Sequence, residues 1–269
     1  MNKKILISTI FLMVLIVVYG NIHYQNKVDA VSESAKKSYA LYEKEMIKQR
    51  KDKLQSMLIS LGAFETTTIL NAKNDIYENL VKQQDQTIVF FGDSTTEQNQ
   101  YTKGEDGHVR IIDKKLSSVA DVNIINSGIS GNDSSHLLKR VQTGVLQHKP
   151  DVVVLSTGIN DSVNLSKNDI YKNLELIITT IQEKTDAKII FRTSSPTLDK
   201  EINQRITEEI NPMAMELAKM YDVGYADLYS YFESKTSMGI DGYMNDIYHP
   251  NGKGQKVISD YMLNVLLTN

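Results

Sequence analysis

Residues 87–97 read TIVFFGDSTTE. Thr87–Phe91 run without a charge into Gly92, and polar residues follow at once. A short uninterrupted apolar run closed by turn residues suits a strand buried on both faces, as in a parallel sheet. Glycine lets the chain turn sharply on leaving the sheet. Ser94 then falls where a helix begins, among backbone N–H groups that no helical carbonyl can use. Taken alone, such a serine is a helix cap. The fuller nucleophile-elbow pattern G-x-S-x-G fails because its last position is Thr96, which argues against an ordinary α/β-hydrolase.

Outward from this stretch the same pattern repeats. Apolar runs at Val122–Ile125, Val152–Ser156, Lys188–Phe191 and Val223–Ala226 read as four further buried strands. Between them lie amphipathic helices. One carries Leu137, Leu138, Val141 and Val145, and a second Ile170, Leu174, Ile177, Ile178 and Ile181. A third runs through Ile202, Ile206, Ile210 and Leu217 with an expected kink at Pro212, and a last one follows Pro250. Strands alternating with helices imply a parallel sheet covered on both sides through right-handed crossovers. Ligands in such folds bind beyond the carboxyl ends of the strands, so the residues just after each strand matter most.

The second strand runs into NSGISG, residues 126–131, and the third into Gly158-Ile159-Asn160-Asp161. Singly these are turn residues and an Asx cap. Neither G-x-G-x-x-G nor a G-x-x-x-x-G-K-[ST] phosphate loop occurs. Near the C-terminus, Asp246-Ile247-Tyr248-His249-Pro250-Asn251 precedes the last helix, and Pro250 keeps that helix from running back through His249. A carboxylate three residues before an imidazole can bind one ring nitrogen while the other faces a serine. A lone D-x-x-H also fits a surface turn or half a metal site.

In combination and in this order, the four stretches resemble the blocks of the SGNH, or GDSL-like, esterase and lipase family. The resemblance spans roughly Gln86 to Leu267 and implies a three-layer α/β/α, flavodoxin-like fold on a five-stranded parallel sheet. It implies Ser94 as nucleophile, His249 as its base and Asp246 as the group orienting the histidine. Ser94, Gly128 and Asn160 would form the oxyanion hole, and Asp93 and Asp161 would hold the loops by hydrogen bonds. No cofactor or metal is implied. Thr95 stands where many members carry leucine, a change that leaves this chemistry untouched.

Upstream, Lys3 and Lys4 precede ILISTIFLMVLIVVYG, residues 5–20, and no charge appears between Ile5 and Asn26. This run is close to the ~17–25 residues of a bilayer-spanning helix. An A-x-A cleavage sequence is missing just after it, and the nearest similar one is Val28-Asp29-Ala30. Residues 1–26 therefore read as an uncleaved signal anchor, with a cleaved signal peptide as the alternative. The basic end would stay cytoplasmic and the remainder extracytoplasmic. Residues 27–85, charged and free of proline, read as a helical stalk or linker, and residues 86–269 as the hydrolase domain.

Composition narrows the chemistry. The 269 residues contain no cysteine, which removes disulfides, thiolate metal ligation and thiol nucleophiles. A net charge of −3 gives no reason to expect a nucleic-acid partner. His23 lies beside the apolar run, while His108, His136 and His148 are expected at the surface, with no metal-ligand spacing. The expected substrates are small-molecule or glycan esters, foremost O-acyl groups of envelope glycans; the partner of the N-terminal helix is the membrane. The same residues serve a lipid-directed esterase, a lysophospholipase or an O-acyltransferase. A non-catalytic binding module on this fold, or metal-dependent phosphoester chemistry, are the readings from other classes. With no tryptophan in the chain, Tyr101, Tyr243 and Tyr248 are the aromatic side chains near the motifs.

Overall fold

A computed structural model describes residues 3–62, 69–70, 76–82, 84–97, 102–236 and 239–268; Tyr101 lies outside them. The chain divides into two compact units, Met1–Gln49 and Arg50–Asn269.

The first unit belongs to one continuous helix, Lys3–Leu61. From Ile10 to Tyr19 its large apolar side chains are all exposed. The helix from Ser8 is long and apolar enough to cross a membrane.

The second unit is built on six strands: β1 (Ile69–Leu70), β2 (Gln86–Gly92), β3 (Val122–Gly128), β4 (Val152–Leu155), β5 (Lys188–Arg192) and β6 (Gly224–Ala226). They form one sheet in the order β1-β6-β5-β4-β2-β3. Strands β2 to β6 are all parallel, as the alternation of strands and helices requires. Every residue of β4 is buried, whereas β3, at an open edge, is only partly covered.

Side-chain alternation sends Val89, Phe91, Val153, Leu155, Ile189 and Phe191 into one core. That core is shared with Lys167–Lys184 and Asn211–Met220, whose apolar stripes contribute Ile170, Leu174, Ile177, Ile178, Ile181, Met213, Ala214 and Leu217. The opposite layer comprises Ile76–Val81, His108–Ser117, Leu228–Lys235 and Gly252–Leu267, which pack on one another. The result is the three-layer fold expected from the sequence.

Three local features depart from expectation. β1 pairs antiparallel with β6, Ile69 against Ala226 and Leu70 against Tyr225. It lies within the stretch read as stalk and covers what would otherwise be a bare edge of the sheet. In the same stretch, Leu54, Ile76, Leu80 and Val81 are buried, and Arg50 donates from Nε to the Val81 carbonyl at 3.0 Å. The helix expected to kink at Pro212 consists of Lys200–Arg205, a π turn Ile206–Ile210 and Asn211–Met220. Pro212 sits in the first turn of the last segment, directly after the π turn. His108 is fully buried rather than superficial. It lies one and two turns before Ile112 and Leu116, on the stripe facing the core, and its backbone N–H and Nδ1 both meet Gln255 Oε1, at 2.8 and 2.7 Å.

Candidate active site

Ser94 opens a single helical turn, Ser94–Glu97, directly after β2. Asp93 fixes this turn. Its carbonyl accepts the N–H groups of Thr96 and Glu97, and its Oδ1 accepts the Thr95 amide and hydroxyl at 2.8 and 2.7 Å. Burial pushes the Asp93 carboxyl above its ordinary value, against the pull of the Thr95 bonds and the Arg192 charge. Arg192 lies beneath the turn, fully buried, and donates to Ser156 Oγ at 2.6 Å; Ser156 Oγ is in turn 3.2 Å from Thr96 Oγ1.

The loop after the 3-10 turn Asp241–Tyr243 brings up the second component. Met244 and Pro250 form an antiparallel bridge, and Asn245 N–H donates to the His249 carbonyl at 2.7 Å, so residues 245–249 close into a tight excursion. Asn251 secures its far end. The Asn251 amide donates to the Gly242 and Met244 carbonyls, while its Oδ1 caps the last helix by accepting the Lys253 and Gly254 N–H groups.

Within this loop Asp246 Oδ1 accepts the backbone N–H groups of Tyr248 and His249, each at 2.8 Å. His249 Nδ1 lies 2.9 and 3.0 Å from the two carboxylate oxygens, and its Nε2 lies 2.9 Å from Ser94 Oγ. A carboxylate only accepts, so Nδ1 carries the proton and Nε2 is left to accept from the Ser94 hydroxyl. Partial burial pushes the Asp246 carboxyl up, but the hydrogen bonds from Tyr248 and His249 outweigh it and hold it below its ordinary value. Ser94, His249 and Asp246, separated by up to 155 positions in the chain, thus stand in one hydrogen-bonded line.

Opposite this line lies the loop that follows β3. Gly128 does not present a free donor there: its N–H donates to Asn126 Oδ1 at 3.0 Å. Glycine is required at 128 for packing, because a Cβ would overlap the backbone of Thr96 and Glu97. Three residues on, Gly131 adopts φ +76°, a left-handed conformation natural to glycine, with open space where a Cβ would point. Its neighbours fix its position. Ser130 donates its N–H (2.7 Å) and its hydroxyl to Glu97 Oε2, and the Asn132 carbonyl accepts from Asn160 Nδ2 at 3.0 Å. The Gly131 N–H makes no hydrogen bond to any described residue. The signal for it was present in the sequence as the second glycine of NSGISG.

Asn160 begins the short helix Ile159–Asn164 after β4. Asp161, fully buried, accepts the Ser134 N–H at 2.9 Å and the Thr157 hydroxyl, and so ties this helix to the one that follows the 126–132 loop. Burial raises its carboxyl above the ordinary value. Arg140, to which the motifs gave no prominence, clamps the same region. It donates to the Gly92 and Ser127 carbonyls and to Asn132 Oδ1, with its guanidinium 4.5 Å from the Phe91 ring centroid. Burial lowers its pKa to about 10, so it stays charged at neutral pH. Among the described residues, no three His, Cys, Asp or Glu side chains cluster in a way that could hold a metal ion.

Comparison with known proteins decides the family. The GDSL-like Lipase/Acylhydrolase family model matches residues 90–257, from the end of β2 through the His249 loop into the last helix. The chain belongs to this family. It is an ester hydrolase of the SGNH/GDSL type. An arylesterase from Vibrio mimicus is 23% identical over 186 residues, covering 69% of this chain and 90% of the relative. Among solved structures, the acetylxylan esterase Axe2 from Geobacillus stearothermophilus superposes with a TM-score of 0.61 at 18% identity, over 68% of this chain and 95% of that one. The α/β hydrolase LAE5 from the metagenome of Lake Arreo gives 0.59 at 20% identity, over 68% and 97%. Both structures share this protein's fold.

Proposed function

We propose that the protein is a membrane-anchored, extracytoplasmic esterase that removes O-acyl groups from envelope glycans through Ser94, His249 and Asp246. The observation that carries the reading is the unbroken line from Ser94 Oγ through His249 to Asp246, with contacts of 2.9–3.0 Å. Ser94 Oγ attacks the ester carbonyl as its proton passes to His249 Nε2. The imidazolium is stabilised by Asp246 and then protonates the departing alcohol. Water, deprotonated by the same nitrogen, cleaves the acyl-enzyme and restores Ser94. Negative charge on the carbonyl oxygen is met by the Ser94 N–H, the Asn160 side-chain amide and the N–H of Gly131 in place of Gly128. Residues 86–269 carry this chemistry, residues 1–26 the anchor, and 27–85 the connection between them. Lys3 and Lys4 orient the anchor with the catalytic domain outside, and an outward-facing tethered esterase has wall polymer within reach. The acetylxylan esterase activity of a fold neighbour points the same way.

Ser94→Ala is the direct test. Turnover of p-nitrophenyl acetate should vanish, as should covalent labelling by a fluorophosphonate, while the far-UV CD spectrum stays unchanged. Full turnover by this variant would remove Ser94 as nucleophile. Release of acetate from acetylated wall glycan, compared with release of fatty acid from lysophospholipid, checks the substrate class.

A further inference from the structure

Eight large apolar side chains stand exposed among the described residues from Arg50 onward, and five of them lie on the segments that follow β3, β4 and β5 and on the histidine loop: Ile129, Val163, Leu198, Ile247 and Tyr248. Three of these form one patch. Leu198 N–H donates to the Ile247 carbonyl at 2.8 Å, which places the loop after β5 beside the histidine loop. The Tyr248 ring stands edge-on to the His249 ring, with centroids 6.3 Å apart and planes at 85°. Leu198, Ile247 and Tyr248 are 39%, 50% and 38% exposed, so each presents a large apolar surface to solvent.

The patch is held in place. Thr197 donates its N–H and hydroxyl to Asn203 Oδ1 at 2.8 and 3.0 Å, and Asp199 caps the next helix by accepting the Glu201 and Ile202 N–H groups. Leu198 is therefore gripped from both sides while its side chain faces out. On the other flank the Asp246 carboxylate fixes the Tyr248 amide. Rigidly presented apolar side chains bind a ligand without the cost of ordering them.

The direction of the chemistry says which half of an ester meets this patch. His249 protonates the leaving alcohol, so the alcohol oxygen must lie within hydrogen-bond reach of Nε2. The carbonyl oxygen points the other way, toward the Asn160 side of Ser94. We propose that Leu198, Ile247 and Tyr248 form a leaving-group platform, which selects esters of ring-shaped alcohols with an apolar face: an aryl ring, or a sugar presenting its C–H face. The platform rests on the esterase reading above and adds to it the half of the substrate by which this site discriminates. Tyrosine suits both ring types, because its face packs on C–H bonds and on other aromatics.

The experiment holds the acyl group constant as acetyl and varies the alcohol, using the full chain in detergent. Methyl acetate, 2-naphthyl acetate and acetylated methyl xyloside are compared in the wild type and in Leu198→Ser, Ile247→Ser, Tyr248→Ala and Tyr248→Phe. The ratio of kcat/KM for a ring acetate over methyl acetate should fall about tenfold in the first three variants, the low end for losing an apolar subsite contact. It should be retained in Tyr248→Phe, which keeps the ring. A fall on the aryl arm alone assigns the platform to aryl esters, and a fall on the sugar arm assigns it to glycan esters. Unchanged ratios overturn the platform, and so does a shift in preference along p-nitrophenyl acetate, butyrate and hexanoate in place of the alcohol effect. Fluorophosphonate labelling separates the two levels: a wild type that takes no label fails as a serine esterase, whereas labelled variants with unchanged ratios fail only as a platform.

Discussion

Gly128, at the end of β3, and Gly131, in the loop after it, meet different constraints. At 128 the constraint is space, because the backbone of Thr96 and Glu97 leaves no room for a Cβ. At 131 the constraint is conformational, and the N–H meets no acceptor among the described residues. Gly128→Ala should therefore lower the thermal midpoint and shift the Ser94 turn, so that lost activity tracks lost structure. On the proposed mechanism the Asn160 side-chain amide is one donor to the carbonyl oxygen, and Asn160→Ala removes it. The substitution should lower kcat about 10²–10³-fold with KM nearly unchanged, and lower the thermal midpoint modestly through the lost bond to the Asn132 carbonyl. A fall below tenfold would place Asn160 outside the hole. The residues proposed for catalysis, Ser94, Asn160, Asp246 and His249, were legible in the sequence because each proposed role admits so few residue types. That the Gly128 N–H is already engaged was not, since the six letters do not reveal its contact with Asn126 Oδ1.

Among the elements, β2, β4, β5 and β6 were readable because burial on both faces writes them as short, nearly continuous apolar runs, and the partly covered β3 because Val122, Ile124 and Ile125 still stand together. β1 was not: two residues inside a charged stretch carry no period, and pairing with β6 alone defines them as a strand. The buried His108 was misread for a related reason, since residue type outweighed its place on the Ile112–Leu116 stripe. The histidine loop shows how a short element is made rigid without a core of its own. Asn251 holds the Gly242 and Met244 carbonyls with one end of its amide and caps the last helix with the other. Asn251→Ala should cost about 0.5–2 kcal/mol through the lost cap. It should also loosen the Asp246–His249 excursion, so that kcat falls more than the change in KM explains. The checks are chemical denaturation together with steady-state kinetics on p-nitrophenyl acetate; an unchanged kcat would show that the Met244–Pro250 bridge suffices to place His249.

At the scale of the whole molecule, the buried ionisable groups set how stability depends on pH, and they pull in opposite directions. Burial, reinforced by the nearby Arg192 charge, lowers the His108 pKa from 6.5 to about 3, so the fold keeps this ring neutral. The unfolded chain binds a proton at His108 below pH 6.5 and the folded chain does not until about pH 3. The stability that His108 contributes is thus complete above pH 6.5 and drains away as pH falls between these two values. One proton taken up on unfolding corresponds to about 1.4 kcal/mol per pH unit. Asp93 and Asp161 act the other way. Burial raises both above the carboxylate value of 3.8, so the folded chain binds their protons first, and acid relieves a cost that ionisation imposes. The net slope of the wild type mixes these contributions, and His108→Gln isolates one of them. The variant should be less stable at pH 7.5, because Gln255 Oε1 loses its ring partner. Its stability should nevertheless decline less steeply below pH 6.5, by up to about 1.4 kcal/mol per pH unit. Urea unfolding of a soluble fragment beginning at Lys27, at pH 7.5, 6.5, 5.5 and 4.5, measures the difference. Parallel curves for the two proteins would mean that His108 takes up its proton inside the fold, and would overturn the lowered pKa.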